Sequence, residues 1–260
     1  MIALIDGDSL IYKIGFTFQE TIVWNEDDVD TKDKIVSTYA DLQSGYKAID
    51  SLVDSIMFKT NCDEVEIWLT KSGSNFRHVV YSDYKHNRKA SAKPILYDAL
   101  FEYLIKHYNA NVTVGYEADD MVVYLKTTNP SDYFLCAIDK DVLYQTVGNH
   151  YNYNKEEFIK VTEKEADRFA YYQCLVGDTT DGYPGCPGIG DKKATKLLDE
   201  SDDYWKTIVE TYKSKGLTEY DAIVQMRLAN MHQFNGKIIE LWTPKNNKQK
   251  VALDPTTSTL

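Results

Sequence analysis

Residues 1–161 alternate between short apolar runs and longer stretches in which apolar residues recur at helical spacing. The short runs are predicted strands, because each is brief, apolar and bounded by polar residues. They cover residues 2–5, 65–69, 112–114 and 133–138, with a fifth at 151–153. The predicted helices among them cover residues 35–57, 94–108 and 118–126. Strands that alternate with helices indicate an α/β fold with a mostly parallel sheet.

The pattern changes near residue 162, after which helices dominate. They are predicted at residues 163–176, 192–198, 204–215 and 218–232. Residues 71–93 are polar and basic without a clear period, so we expect a functional loop there. The sequence therefore predicts three parts: an α/β core over 1–161, a helical region over 162–243 and a polar tail over 244–260.

The composition is that of an ordinary globular protein, with 260 residues of which 43% are hydrophobic and 27% charged. No apolar run approaches the roughly 18 residues that a membrane span needs, and the N-terminus lacks the basic region of a secretory signal. We therefore expect a cytoplasmic location, in the host cytoplasm if a phage encodes the chain, and no membrane partner. The cysteines have no Cys-x-x-Cys spacing and are expected to be reduced thiols: Cys62, Cys136, Cys174 and Cys186.

The net charge of −11, taken alone, argues against a nucleic-acid partner, since non-specific DNA binding depends largely on Lys and Arg neutralising phosphates. The distribution of charge changes this picture. The carboxylates form compact clusters that bound cations would neutralise. The basic residues gather in residues 85–93, in residues 245–250 and at Lys192, Lys193 and Lys196.

Acidic clusters follow three of the predicted strands. Ligands of open parallel sheets bind beyond the carboxyl ends of the strands, so these clusters share one edge. A fourth cluster, in Gly-Asp-Thr-Thr-Asp-Gly, has a three-residue spacing that places both acids on one side of a helical turn. The clusters are Asp6 and Asp8; Glu117, Asp119 and Asp120; Asp139 and Asp141; and Asp178 and Asp181.

So many carboxylates at one edge would repel one another strongly without cations. Hard oxygen ligands suit Mg²⁺ or Mn²⁺, and two such ions can stabilise both the attacking and the leaving oxygens of a phosphodiester displacement. A single Asp-x-Asp is more often a helix cap or a solvated loop. Four clusters at strand ends or a helical turn favour a site for two divalent ions.

Basic and aromatic residues follow the second predicted strand, on the same edge as the acids. Arg and Lys there suit phosphate capture, and a tyrosine suits stacking on a base. A solvated surface loop would have a similar composition. The predicted DNA-binding residues of this segment are Arg77, Tyr84, Lys85, Arg88 and Lys89.

A glycine-rich segment, residues 185–190, separates two predicted helices. Closely spaced glycines let backbone amides approach a phosphate, and the following helix N-terminus attracts an anion. A lone Gly-x-Gly would indicate only a tight turn, but this one directly follows Asp178 and Asp181. We therefore predict a helix-hairpin-helix clamp that binds the DNA backbone through Gly188, Gly190, Lys192 and Lys193.

In this order the motifs resemble those of the flap endonuclease and 5′→3′ exonuclease family. They run Ile-Asp-Gly-Asp, Phe-Arg, Tyr-Lys-x-Asn-Arg, Glu-Ala-Asp-Asp, Asp-Lys-Asp, Gly-Asp-x-x-Asp and Pro-Gly-Ile-Gly, over about residues 1–200. The gene 6-type exonucleases of short-tailed phages are similar in further detail, including Gly-Asp-x-Thr-Asp-Gly-Tyr and a C-terminal Leu-Trp before a proline. The resemblance implies a PIN-like nuclease core, a helix–three-turn–helix DNA-binding motif and 5′→3′ hydrolysis of duplex DNA in phage replication or degradation.

The resemblance also implies roles for individual residues. One metal site would take Asp6, Glu117, Asp119 and Asp120, and the other Asp139, Asp141, Asp178 and Asp181. Lys85 and Arg88 would contact the scissile region, so the predicted catalytic residues are Lys85, Arg88, Asp139 and Asp181. A K⁺ ion would bind backbone carbonyls at Gly185–Gly190. The expected partner of this monomer is double-stranded DNA with 5′ ends or flaps, with RNA–DNA hybrids left open.

Two features depart from the family pattern. Family members usually carry an aspartate at the end of the second strand, where this chain reads Leu69-Thr70-Lys71. Either that acid is dispensable or the first metal site is weaker. The segment between Arg88 and Glu117 is also shorter than a full helical arch, which favours exonuclease action on duplex ends over threading of flaps.

Three alternative functions remain open from the sequence. A flap endonuclease or RNase H-like primer remover would differ in its first product. A haloacid-dehalogenase-type phosphatase is suggested by Asp6-Gly7-Asp8, but it leaves the glycine hairpin and the basic segment unexplained. A non-catalytic DNA-binding module is favoured only by Thr70 and opposed by the remaining acids.

Overall fold

The computed structural model describes residues 1–24, 36–87 and 92–245. Its strands are β1 (Ile2–Asp6), β2 (Gln19–Val23), β3 (Val36–Ala40), β4 (Glu64–Asn75), β5 (Asn111–Gly115), β6 (Tyr133–Ala137), β7 (Gly148–Asn152) and β8 (Glu157–Val161). Six of them form one sheet in the order β5-β4-β1-β6-β7-β8. All neighbours in this sheet are parallel except β7 and β8, which confirms the predicted mostly parallel α/β architecture.

Helices cover both faces of the sheet and then form the C-terminal region. They are α1 (Gly7–Thr17), α2 (Leu42–Thr60), α3 (Phe76–Val80), α4 (Tyr97–Tyr108), α5 (Ala118–Thr128), α6 (Lys140–Tyr144), α7 (Glu163–Val176), α8 (Asp191–Asp199), α9 (Tyr204–Ser214) and α10 (Glu219–Ala229). Helices α1, α2 and α4 bury Leu10, Ile49 and Leu100 on one face of the sheet. Helices α5 and α6 bury Val122 and Val142 on the other.

The C-terminal helices have an apolar core of their own and also contact the sheet domain. Helices α7 to α10 bury Cys174, Leu198 and Met226 among one another. Between this region and the sheet domain, Tyr84 and Tyr183 pack against Leu228 of α10. The helical region therefore packs against the segment that follows β4 and contains Tyr84. Among the described residues, no helix is long and apolar enough to cross a membrane.

Several predicted elements have different bounds or were missed. The helix predicted over 35–57 begins only at Leu42, because residues 36–40 form β3, which pairs with β2 in a separate two-stranded sheet. Strand β8 was not predicted. Helix α1 was missed although Asp6 caps it, accepting hydrogen bonds from the amides of Asp8 and Ser9. The predicted loop over 71–93 contains the end of β4 and the short helix α3.

The described cysteines are all buried free thiols, as the sequence predicts: Cys62, Cys136, Cys174 and Cys186. Of the predicted tail, residues 246–260 lie outside the described residues.

Candidate active site

A cleft at the carboxyl edge of the sheet collects acids from several of the predicted clusters. Its polar wall consists of Asp6, Asp8, Glu117, Asp119 and Asp139, with Lys85 beside them. The acids come from the end of β1 and the start of α1, from the start of α5, and from the residues that follow β6. The structure thus places the predicted clusters at one common edge, as the parallel topology requires.

Three of these acids lie at helix N-caps, which explains how the backbone aims them at the cleft. Asp6 caps α1, Glu117 caps α5 in a capping box with Asp120, and Asp139 caps α6 by accepting from the amide of Asp141 at 2.8 Å. A carboxylate at an N-cap accepts amide hydrogen bonds and meets the positive end of the helix dipole. Three helix N-termini therefore converge on the acidic cleft.

The aspartates of the cleft, unlike Glu117, hold their protons more tightly than free carboxylates do. Burial, followed by the charge of Asp8, raises the pKa of Asp6 to about 7. Burial, followed by the charge of Asp6, raises the pKa of Asp119 well above its ordinary range. The Asp119 Oδ1 atom is also buried without a hydrogen-bond partner. Such a set of desolvated oxygens lacks compensating positive charge, and hard divalent cations supply it.

The second predicted group of acids lies beside this cleft, where α6 meets the loop after α7. Asp141 accepts from Gln173 Nε2 at 2.5 Å, and burial followed by the charge of Asp139 raises its pKa to about 7. Asp178 pairs with Lys140 at 3.0 Å. Burial alone would raise the pKa of Asp178, but the hydrogen bond and charge of Lys140 lower it. Asp181 accepts from the Tyr84 hydroxyl at 2.8 Å.

The donor set fits divalent ions, although its side chains are partly engaged with cations of the protein itself. Within the described ranges, no three His, Cys, Asp or Glu side chains already converge on one ion-sized position. Glu117 is paired with Lys85 and Asp178 with Lys140. The unpartnered Asp119 oxygen and the raised pKa of Asp6 indicate that these two carboxylates lack a counter-charge.

Lys85 links the two acidic groups. Its backbone is left-handed, with φ of 54°, and its amide donates to the Asp181 carbonyl at 2.7 Å. Its ammonium group pairs with Glu117 and lies 3.8 Å from Asp181. Burial alone would raise the pKa of Glu117, but the charges of Lys85 and Arg77 lower it to about 2. In the folded protein, Glu117 is therefore ionised at neutral pH.

Three predicted roles need correction because the side chains are buried and engaged. Arg77, expected to bind DNA, is 1% exposed and pairs with Asp120 at 2.7 Å. Its guanidinium carbon lies over the Phe76 ring, 4.6 Å from the ring centre. Asp120, expected to bind a metal, is 0% exposed and also accepts from the Glu117 amide at 3.0 Å. The ring of Tyr84 is 2% exposed and cannot stack on a base.

These three residues instead hold the acids of the cleft in place. Arg77 donates to Glu117 at 3.4 Å as well as to Asp120. The Tyr84 hydroxyl contacts Glu117 at 3.0 Å and Asp181 at 2.8 Å. The sequence shows that a basic and an aromatic residue follow the strand, but not that both point inward. Arg88 and Lys89 lie outside the described residues.

The predicted clamp forms a hairpin between α7 and α8. Gly188 has φ of 73°, and a Cβ at Gly188 or Gly190 would meet no atom within 4 Å, so the hairpin is open to approach. Helix α8 begins after Gly190 without a side-chain cap. Lys192 is exposed, and Lys193 donates to the Gly188 carbonyl at 3.0 Å. Free helix amides and adjacent ammonium groups are features of an anion-binding site.

Other groups of the cleft had no assigned role, although Asp8 belongs to one of the predicted acidic clusters. Asp8 lines it, and Tyr12, Phe16 and Tyr97 form an aromatic wall next to the acids. The signal for Asp8 was present in the Asp-Gly-Asp motif. The aromatic wall depends on recognising α1, because Tyr12 and Phe16 share one face only when the segment is helical.

Comparisons with known proteins agree with this geometry. A model of the 5′-3′ exonuclease N-terminal, resolvase-like domain matches residues 1–171. The chain is 32% identical to a 5′-3′ exonuclease of Bacillus subtilis over 145 residues, which span 48% of each protein. It is 28% identical to the exodeoxyribonuclease of Enterobacteria phage T3 over 226 residues, covering 65% of this chain and 70% of that one. The fold is similar to that of the bacteriophage T5 flap endonuclease solved with DNA and metal ions, with a TM-score of 0.61, 17% identity and 89% of each chain covered.

Proposed function

The chain belongs to the 5′-3′ exonuclease family, and from this premise we propose that it hydrolyses phosphodiester bonds at the 5′ ends of duplex DNA. The observation that carries the proposal is the convergence of Asp6, Glu117, Asp119 and Asp139 on one cleft with Lys85 among them. Family membership supports the reaction, and the acid cleft supports its dependence on divalent metal ions. The division into a nuclease core over 1–161 and a helical DNA-binding region over 162–243 is part of the same proposal.

The residues of the cleft have separate tasks in the proposed reaction. Two divalent ions, when bound, activate water and stabilise the leaving oxygen. Asp6, Glu117 and Asp119 would hold one ion, while Asp139, Asp141, Asp178 and Asp181 would hold the other. Lys85 donates to an oxygen of the scissile phosphate, a role that its position between Glu117 and Asp181 supports.

The remaining assignments concern binding rather than chemistry. The open hairpin at Gly188 and Gly190, with Lys192 and Lys193, holds the phosphate backbone of the duplex away from the cleft. Arg88 and Lys89 extend the phosphate contacts beside Lys85. We assign Mg²⁺ or Mn²⁺ to the cleft and K⁺ to the hairpin carbonyls. We further propose that the protein acts as a monomer in the cytoplasm on DNA with 5′ ends or flaps, with RNA–DNA hybrids left open as a second substrate.

The test is a time course on duplexes labelled at either the 5′ or the 3′ end, with Mg²⁺ or with EDTA. Exonuclease action from the 5′ end should release the 5′ label first as a mononucleotide, and EDTA should stop it. Release of a longer labelled fragment from a flapped substrate would favour the alternative, a flap endonuclease or primer remover. Full activity in EDTA would refute the metal-dependent mechanism.

A further inference from the structure

We propose that Asp8 is a ligand of the first divalent ion and supplies, beside Thr70 of β4, the carboxylate that the sequence lacks at that position. The inference rests on the metal dependence in the proposed function and adds a residue to it. Asp8 belongs to α1, whereas Thr70 belongs to β4, so the carboxylate reaches this position from a neighbouring element.

Helix α1 and strand β4 approach each other closely, and this brings Asp8 to Thr70. A Cβ at Gly7 would lie 2.6 Å from Ile67 Cγ2 and 2.9 Å from the Trp68 carbonyl oxygen, so only glycine allows this spacing. The next residue, Asp8, then reaches Thr70 of β4. Both of its carboxylate oxygens lie 3.2 Å from the Thr70 amide nitrogen.

The surroundings of Asp8 are those of a ligand and not of a surface acid. Asp8 is a half-buried side chain that lines the same cleft as Asp6, Glu117 and Asp119. The Asp119 Oδ1 atom in this cleft is buried without a hydrogen-bond partner, which independently indicates a place for a cation. A carboxylate oxygen has two acceptor positions, so the Thr70 amide leaves Asp8 able to coordinate.

Asp8 has a simpler explanation, in which its carboxylate only fastens β4 to α1. The two roles predict different effects of Asp8→Asn, which is a neutral and nearly isosteric replacement. A fastening residue contributes to stability without metal. A ligand contributes to metal affinity, and a carboxylate placed on Thr70 itself should then replace it.

The experiment measures Mn²⁺ binding without DNA, by electron paramagnetic resonance of the free ion, in four proteins. These are the wild type, Asp8→Asn, Asp8→Asn with Thr70→Asp, and the control Asp54→Asn, an exposed acid of α2. Asp8→Asn should weaken one of the Mn²⁺ sites by at least roughly 10–100-fold, the loss found when groups that only support the ligands of a metal site are removed. The added Thr70→Asp should restore most of that affinity, and Asp54→Asn should bind as the wild type does.

Thermal unfolding in EDTA, followed by circular dichroism, separates a binding defect from a folding defect. Asp8→Asn should unfold no earlier than the wild type, because the substitution removes one of several buried like charges. Wild-type Mn²⁺ affinity in Asp8→Asn, a lower unfolding temperature with unchanged affinity, or failure of Thr70→Asp to restore binding would each overturn the inference. Absence of Mn²⁺ binding by the wild type would overturn the proposed function as well.

Discussion

At the scale of single residues, the cleft holds the cation of Lys85 among its carboxylates. Lys85 is paired with Glu117 and lies 3.8 Å from Asp181, so its ammonium group is held between both acidic groups before DNA binds. Its fixed position matters because a preorganised charge needs no rearrangement when charge develops on the phosphate.

Replacement of Lys85 and of Asp139 should give different defects. Lys85→Ala should slow single-turnover cleavage by roughly 10²–10³-fold, the usual cost of losing one preorganised charge, and extra Mg²⁺ should not restore it. Asp139→Asn should abolish cleavage at ordinary Mg²⁺ while DNA binding survives or tightens, because a negative charge near phosphate is lost. High Mg²⁺ should partly restore Asp139→Asn. Near-normal turnover of Lys85→Ala, or equal rescue of both variants, would contradict this division.

The raised pKa of Asp6 predicts how the metal-free protein responds to pH. Burial, then the charge of Asp8, raises this pKa from 3.8 to about 7, so between these values the folded state binds a proton that the unfolded state releases. The stability that this proton contributes is lost as pH rises towards 7. In EDTA, the unfolding temperature of the wild type should therefore fall between about pH 4 and 7 more steeply than that of Asp6→Asn.

Asparagine keeps the N-cap of α1, which makes Asp6→Asn a suitable comparison. Saturating Mg²⁺ should also flatten the pH dependence of the wild type, because the ion favours the ionised carboxylates. Equal slopes for the two proteins in EDTA would show that Asp6 is not the titrating group.

The acids of the cleft were predictable from the sequence, whereas the buried partners were not. Asp6 and Asp139 follow apolar runs, and the rule that parallel strands end at one edge was sufficient to place them together. Arg77 and Tyr84 follow a strand in the same way, yet they point into the protein. Their burial depends on Leu228 of α10, which is remote in sequence, so no local pattern contains that information.

At the scale of elements, the hairpin between α7 and α8 depends on the close approach of two glycines, Gly177 and Gly185. Gly177 ends α7 with φ of 75° and ψ of −174°, a conformation nearly restricted to glycine. A Cβ there would lie 2.4 Å from the Pro184 carbonyl carbon and 2.5 Å from the Gly185 amide nitrogen. This contact closes the loop that carries Asp178 and Asp181 and sets the start of the hairpin.

Alanine at Gly177 should therefore be much more damaging than alanine at Gly188. Both residues have a positive φ, but a Cβ at Gly188 would meet no atom within 4 Å. Gly188→Ala should lower the free energy of unfolding by about 1 kcal/mol from backbone strain alone. Gly177→Ala adds overpacking against backbone, for a total of at least ~3 kcal/mol. Urea unfolding measures both, and similar losses would mean that the Gly177 contact yields readily.

Elements with strong local signals were predicted well, and those without them were not. Helix α7 has the predicted bounds, because Thr162 and Glu165 form a capping box at its start. Strands β2 and β3 were missed because most of their residues are exposed, so they lack the alternation that marks a half-buried strand. Helix α1 was detectable from its Asp6 cap and the spacing of Leu10, Ile11 and Ile14.

At the scale of the whole molecule, a chain with a net charge of −11 must attract a polyanion through local positive regions. The acids of the cleft require bound cations before a phosphate can approach. The hairpin instead presents the amides at the start of α8 together with Lys192 and Lys193. Most of the salt-dependent part of duplex binding should therefore come from the hairpin and from the basic segment around Lys85.

Removal of the two hairpin lysines should reduce the salt dependence of DNA binding. Each phosphate contact contributes about one unit to the slope of log affinity against log salt, so Lys192→Ala with Lys193→Ala should flatten it by up to about two units.

The matched control is Lys59→Ala with Lys106→Ala, two exposed lysines whose helices end just before β4 and β5 begin, at the opposite edge of the sheet. The slopes are measured by fluorescence anisotropy on a blunt duplex. All proteins compared carry Lys85→Ala, so that cleavage of the DNA is slow during the measurement. The cleavage rate at saturating DNA, measured with Lys85 intact, should change little, because the hairpin acts on binding. A slope equal to that of the control pair would place the duplex elsewhere on the surface.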